Sequence, residues 1–151
     1  FEISRDVYRA SGGVFDVTVG PLVRAWGFGA DASATPPSPD ELAALQEEVG
    51  FDKVVIDPEK STLTKTRAGI TCDLSAVAKG YAVDQVAEAL AKLGYENFLV
   101  EIGGELRARG THLDGSPWRV AIEEPNEGGR SIHRIIALRE AAMATSGDYR
   151  N

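Results

Sequence analysis

The amino-acid sequence predicts an α+β fold with a largely antiparallel sheet and one long central helix. Three observations point there. Residues 75–93 place Val77, Ala78, Tyr81, Val86, Ala89, Leu90 and Leu93 at helical spacing. Four strand-like runs then follow with no helix between them, a pattern that favours antiparallel pairing. The composition, 43% hydrophobic and 26% charged over 151 residues, is that of a globular chain. At this length a chain buries roughly 70% of its unfolded surface, enough for a true core.

The elements follow in order. Phe1 to Val7 already reads as the middle of an amphipathic helix, with Phe1, Ile3, Val7 and Tyr8 apolar. Phe1 is not a translation start and the single methionine is Met143, so the chain reads as an excerpt of something longer. Ala30 to Pro39, rich in Ala, Ser, Thr and Pro, is the nearest thing to a linker. It ends in a helix start: Ser38 as N-cap, Pro39 at the first helical position, and Glu41 completing a capping box. Leu42, Leu45 and Val49 form the apolar stripe, and Gly50 stops it. Strand-like runs at 53–56 and 62–65 flank an Asp57-Pro58 turn, and 70–73 resembles the end of another strand. The long helix stops at Gly94, and residues 98–102, 106–109, 119–123 and 132–138 read as strands.

Sixteen Lys and Arg against 23 Asp and Glu give a formal net charge of -7, which disfavours sequence-independent nucleic-acid binding. A local pocket can still carry positive potential for an anionic small molecule. One cysteine, Cys72, excludes an internal disulfide framework and any Cys-rich zinc site. It has no local cation to lower its pKa, so it reads as a packed thiol. No apolar run approaches the ~20 residues of a membrane span. His112 and His133 are far apart and read as surface or strand residues.

Four segments carry candidate chemistry, and each also has a purely structural reading. At Cys72 to Gly80, Asp73 and Ser75 either cap the long helix while Lys79 is a solvated charge, or the helix start and Lys79 cradle a diphosphate. Gly12-Gly13 with Phe15 and Trp26 is either a helix stop with core aromatics or a close ligand approach with aromatic faces. Gly103-Gly104 sits between two strands and is explained by a tight hairpin; it lacks the spacing of a dinucleotide fingerprint. Thr145, Ser146, Gly147 and Asp148 form either an anion-binding turn or a plain polar one.

Together, in this order, the four segments resemble the ApbE family, the FAD:protein FMN transferases once described as thiamine-biosynthesis lipoproteins. The matching stretches are Gly12 to Leu22 (GGVFDVTVGPL), Asp73 to Asp84 (DLSAVAKGYAVD), Val100 to Leu106 (VEIGGEL) and Ala144 to Tyr149 (ATSGDY). The resemblance runs from Ser11 through Asn151. It implies an ApbE-like fold and an enzyme that splits the FAD diphosphate. The FMN phosphoryl passes to a Thr or Ser hydroxyl of a target protein, AMP leaves, and magnesium assists. It implies that Val14, Phe15, Asp16, Asp73 and Lys79 contact FAD, and that the Ala76 backbone carbonyl takes part in the magnesium site. The family's other magnesium ligands and its catalytic histidine lie downstream of the Thr-Ser-Gly-Asp-Tyr segment. Neither His112 nor His133 matches that histidine, so no catalytic residue is assigned. Residues 1–151 are thus expected to be one partial domain, catalytically incomplete, lacking an N-terminal part and the C-terminal metal and catalytic segment. Bacterial members imply a periplasmic or membrane-associated location outside the cytoplasm. Alternatives within the resemblance are a FAD pyrophosphatase that releases FMN and AMP, or a non-catalytic flavin-binding domain.

Overall fold

The computed structural model describes residues 1–28, 35–125 and 131–147. Gly29, most of the predicted linker (30–34), and Asp148 to Asn151 of the fourth segment lie outside the described residues. The chain forms two compact units, Phe1–Val77 and Ala78–Asn151.

The first unit begins with α1 (Glu2–Ala10). Gly12 (φ 64°) and Gly13 (φ 86°) end it, donating their amides to Arg9 O (3.1 Å) and Tyr8 O (2.9 Å). This crossed pair of bonds satisfies carbonyls that the last helical turn leaves open, and it needs residues free of a Cβ. A short helix α2 (Gly20–Ala25), not anticipated from sequence, has Pro21 in its first turn. Helix α3 (Pro39–Gln46) carries the predicted capping box in full: Ser38 Oγ accepts from Glu41 N, and Glu41 Oε2 accepts from Ser38 N. It stops before Val49, short of the predicted stripe. After a 3-10 turn (Phe51–Lys53), β1 (Val54–Asp57) and β2 (Thr62–Lys65) pair antiparallel as a hairpin.

The first unit's core is Val17, Phe51, Val54 and Ile70, with Tyr8, Phe15, Ile56, Cys72 and Leu74 packed against it. The predicted strand end at 70–73 is not a strand. A strand exists only through a ladder of partner bonds, and this stretch has a single one, from Asp73 N to Val17 O (2.7 Å).

Helix α4 (Ser75–Lys92) is the predicted long helix. Gly94 (φ 89°) ends it by the same device, with Tyr95 N bonded to Leu90 O and Gly94 N to Ala91 O. In the second unit α4 buries Val83 and Ala87 against Phe98 and Val100. Those two alternate along β3 (Phe98–Ile102), as the two-residue strand period requires. Burying each is worth about 1.5–3 kcal/mol. Strand β4 (Glu105–Arg109) alternates likewise, Leu106 and Ala108 inward and Arg107 and Arg109 outward. With β7 (Ala141–Met143), also not anticipated, they form a three-stranded sheet in the order β3-β4-β7. Strands β5 (Trp118–Glu123) and β6 (Ile132–Leu138) make a separate ribbon. Every ladder among the described residues is antiparallel, as expected, but the strands fall into three small sheets. No helix among the described residues is long and apolar enough to cross a membrane.

Candidate functional site

In the first unit, Val14, Phe15 and Asp16 follow the double glycine that ends α1. Ser11 Oγ fixes this turn, accepting from Phe15 N (3.0 Å) and donating to Tyr8 O (3.0 Å). Val14 is 88% exposed, whereas Phe15 packs on the core. Trp26 is 54% exposed, so the reading of it as a core residue fails. Asp16 is a structural joint. Its Oδ1 accepts from Thr18 N (2.8 Å) and Thr18 Oγ1 (2.6 Å), and its Oδ2 accepts from Phe51 N (2.9 Å). Thr18 is fully buried, and its Oγ1 in turn accepts from Gly50 N (2.7 Å). A carboxylate offers about four lone-pair sites, so at most one acceptor position remains to Asp16.

The stretch before α4 behaves as a cap. Asp73 Oδ1 accepts from Ser75 N (2.8 Å), and hydrogen bonding to Ser75 holds its carboxyl below the usual carboxylate range. Val77 N is taken by Leu74 O (2.9 Å). Two amides of the helix start are therefore satisfied by the chain itself, which limits what they offer a phosphate. Burial and the nearby Asp16 carboxylate push the Cys72 thiol up, in keeping with a packed, unreactive sulfur.

Ala76 is exposed on the first turn of α4. A carbonyl there is ordinarily committed to the amide four residues on, leaving one lone pair. Among the described residues no group of three or more His, Cys, Asp or Glu can hold a metal ion. Magnesium demands near-octahedral oxygen ligation, so the described residues alone do not fit it.

The second unit contains a large open cleft, about 1300 Å³. That is room for a ligand larger than a typical drug-sized molecule. Lys79 on α4, Glu101, Gly103 and Gly104 at the β3–β4 turn, and Thr145, Ser146 and Gly147 after β7 all line it. Three of the four segments singled out in the sequence thus meet at one cavity.

Their meeting point is the double glycine. Gly103 (φ 58°) and Gly104 (φ 96°) close a two-residue hairpin in which both central residues need positive φ. Lys79 Nζ donates to Gly103 O (3.0 Å) and lies 2.7 Å from Glu105 Oε2. A Cβ on Gly103 would sit 3.2 Å from Lys79 Cδ. On the other side Thr145 Oγ1 donates to Gly104 O (3.2 Å), and a Cβ on Gly104 would lie 2.6 Å from that oxygen. The glycines thus serve the turn and also admit a lysine and a threonine side chain. Glu101 Oε1 accepts from Gly104 N (3.0 Å) and locks the turn from below.

The cleft is also lined by the β5–β6 ribbon, which the motifs did not mark. Arg119, Val120, Ala121, Ile122, Glu123 and His133 line the cleft. Ile122 pairs with Arg134 but Glu123 pairs with Ile132, so His133 is the extra residue of a β-bulge. Bulges re-aim a side chain locally and concentrate near binding sites. The strand pattern identifies the polar face carrying Arg119, but nothing local in the sequence says what that face looks onto. His112 lies apart, its ring centroid 4.1 Å from that of Trp118.

The ApbE family model matches residues 1–151. The FAD:protein FMN transferase of Haemophilus influenzae is 47% identical over 146 residues, spanning 94% of this chain and 42% of that protein. The Escherichia coli K12 protein of the same name is 34% identical over 142 residues, 92% of this chain and 40% of its own. Among solved structures, the flavin transferase ApbE from Vibrio cholerae superposes with a TM-score of 0.83 at 42% identity, covering 99% of this chain and 48% of that one. The apo flavinyl transferase ApbE of Pseudomonas stutzeri also reaches 0.83, at 38% identity, over 99% of this chain and 45% of its own. The chain spans less than half the length of these relatives. With the whole of its length matched by one family model, and with relatives of this identity, the chain belongs to the ApbE family.

Proposed function

We propose that the protein carrying this chain transfers the FMN moiety of FAD to a Thr or Ser hydroxyl of a target protein. One observation supports this reading most: Lys79, the Gly103-Gly104 turn and the Thr145-Ser146-Gly147 segment, distant in sequence, line one large cleft. In the reaction the acceptor hydroxyl oxygen forms a bond to the FMN phosphorus. The phosphoanhydride bond breaks, AMP keeps the bridging oxygen, and the hydroxyl proton is released. Such a transfer asks the protein mainly for alignment and charge neutralisation. Lys79 supplies a fixed ammonium at the cleft, donating to the Gly103 carbonyl and ion-paired with Glu105, with donor capacity left for a phosphate oxygen.

Val14, Phe15, Asp16 and Asp73 are proposed FAD contacts on the family resemblance. Because Asp16 and Asp73 are already engaged, their contacts would use a remaining lone pair or the backbone. Magnesium with the Ala76 carbonyl as one ligand belongs to the same proposal. A single carbonyl is one donor of the six such an ion needs, so no step is routed through it. Action outside the cytoplasm is the location the resemblance supports.

The test incubates the full-length protein with FAD, magnesium and an acceptor protein, following flavin fluorescence on a denaturing gel and AMP release. Covalently flavinylated acceptor is expected. AMP released equally without acceptor would instead mean FAD hydrolysis, and neither product would refute the reading.

A further inference from the structure

Charge around the cleft is unevenly committed. Lys79 is paired with Glu105 and bonded to the Gly103 carbonyl. Glu101 lines the same wall. Lys79, Glu105 and Glu101 together sum to one negative charge, so this wall alone is a poor host for the doubly anionic bridging diphosphate of a dinucleotide. On the β5–β6 ribbon the charged or titratable lining groups are Arg119, Glu123 and His133. Arg119 is exposed, and its guanidinium makes no hydrogen bond or ion pair with another described residue. Its cross-strand neighbour is Ala137, a side chain too short to crowd the guanidinium. A guanidinium is always charged, and its planar fork matches two phosphate oxygens.

We infer that Arg119 is a binding residue of this cleft, receiving the phosphate groups of the dinucleotide from the β5–β6 ribbon. The inference rests on the reading of the cleft as the FAD site. Lys79 then serves as an anchored, half-neutralised partner, and Arg119 supplies the uncommitted charge. An uncharged flavin gains nothing from it.

The test measures FAD and riboflavin binding by flavin fluorescence in the full-length protein, comparing wild type with Arg119→Ala, Arg119→Lys and Lys79→Met. Because Arg119 is exposed, its variants are expected to melt with the wild type, which a thermal scan checks. Arg119→Ala should weaken FAD binding about ten- to thirtyfold. Arg119→Lys should recover part of that loss, since it restores charge without the fork. Riboflavin binding should not change. FAD bound equally by wild type and Arg119→Ala, with Lys79→Met weakened, would overturn the role of Arg119 and leave the cleft assignment standing. Wild-type protein that fails to bind FAD would overturn the cleft assignment itself.

Discussion

Removing the two members of the Lys79–Glu105 pair should have unequal consequences. The Glu105 side chain is 13% exposed and its Oε2 has no hydrogen-bond partner; Lys79 is 50% exposed and also donates to Gly103 O. Lys79→Met keeps most of the apolar stem but strands a nearly buried carboxylate. That should cost about 2–3 kcal/mol, below the ~3–5 of a fully buried pair because water reaches the lysine side. Glu105→Ala leaves an ammonium that water can solvate and that still bonds a carbonyl, costing about 0.5–1 kcal/mol. With a urea dependence of about 2 kcal/mol per molar, the midpoints should fall by about 1–1.5 M and about 0.25–0.5 M. The double variant should lie nearer Glu105→Ala than the sum, since no charge is then stranded. Urea titrations followed by circular dichroism decide it. Equal midpoint shifts, or additive ones, would show that the pair is a surface contact without a buried member.

Two further outcomes follow from the turns and caps. Gly104→Ala should destabilise by about 2–3 kcal/mol, more than Gly115→Ala. Both positions have positive φ, but only Gly104 brings the new methyl within 2.6 Å of a threonine oxygen while Gly115 faces open space; equal melting temperatures would contradict this. Asp73→Asn should flatten the fall of stability as pH drops below the ordinary carboxylate range. The native carboxyl titrates below its unfolded value, so its contribution is full above that value and is lost as pH falls through the native one. Asn still caps, so the difference should stay under about 1 kcal/mol, and acid melts of the two proteins should converge at the low end.

What was legible in the sequence was local. The α3 capping box needs only Ser38, Pro39 and Glu41, and the ends of α1 and α4 need only their glycines, so both appear as read. The strand read at 70–73 fails because a strand is defined by its partner, which no local pattern contains. Asp16 is marked as a ligand contact only by the family resemblance; its part in joining the chain to Phe51, 35 residues away, no local pattern shows. The Gly103-Gly104 turn was visible as a hairpin. Its second duty depends on Lys79 and Thr145, 24 and 41 residues distant. The glycines, the helix start and the polar turn mark the segments and the family resemblance joins them, but the ribbon carrying Arg119 bears no motif and shows itself only once the cleft is built.

Thr145 comes two residues after β7, and Gly104 immediately precedes β4, so their meeting depends on the Leu106–Met143 register. β7 is three residues long and closes the outer edge of its sheet. The most precarious strand therefore delivers one lip of the cavity, and a molecule gripping both lips would staple that strand in place. Occupancy and edge integrity become one equilibrium: fraying opens the lip, and filling the cavity suppresses fraying.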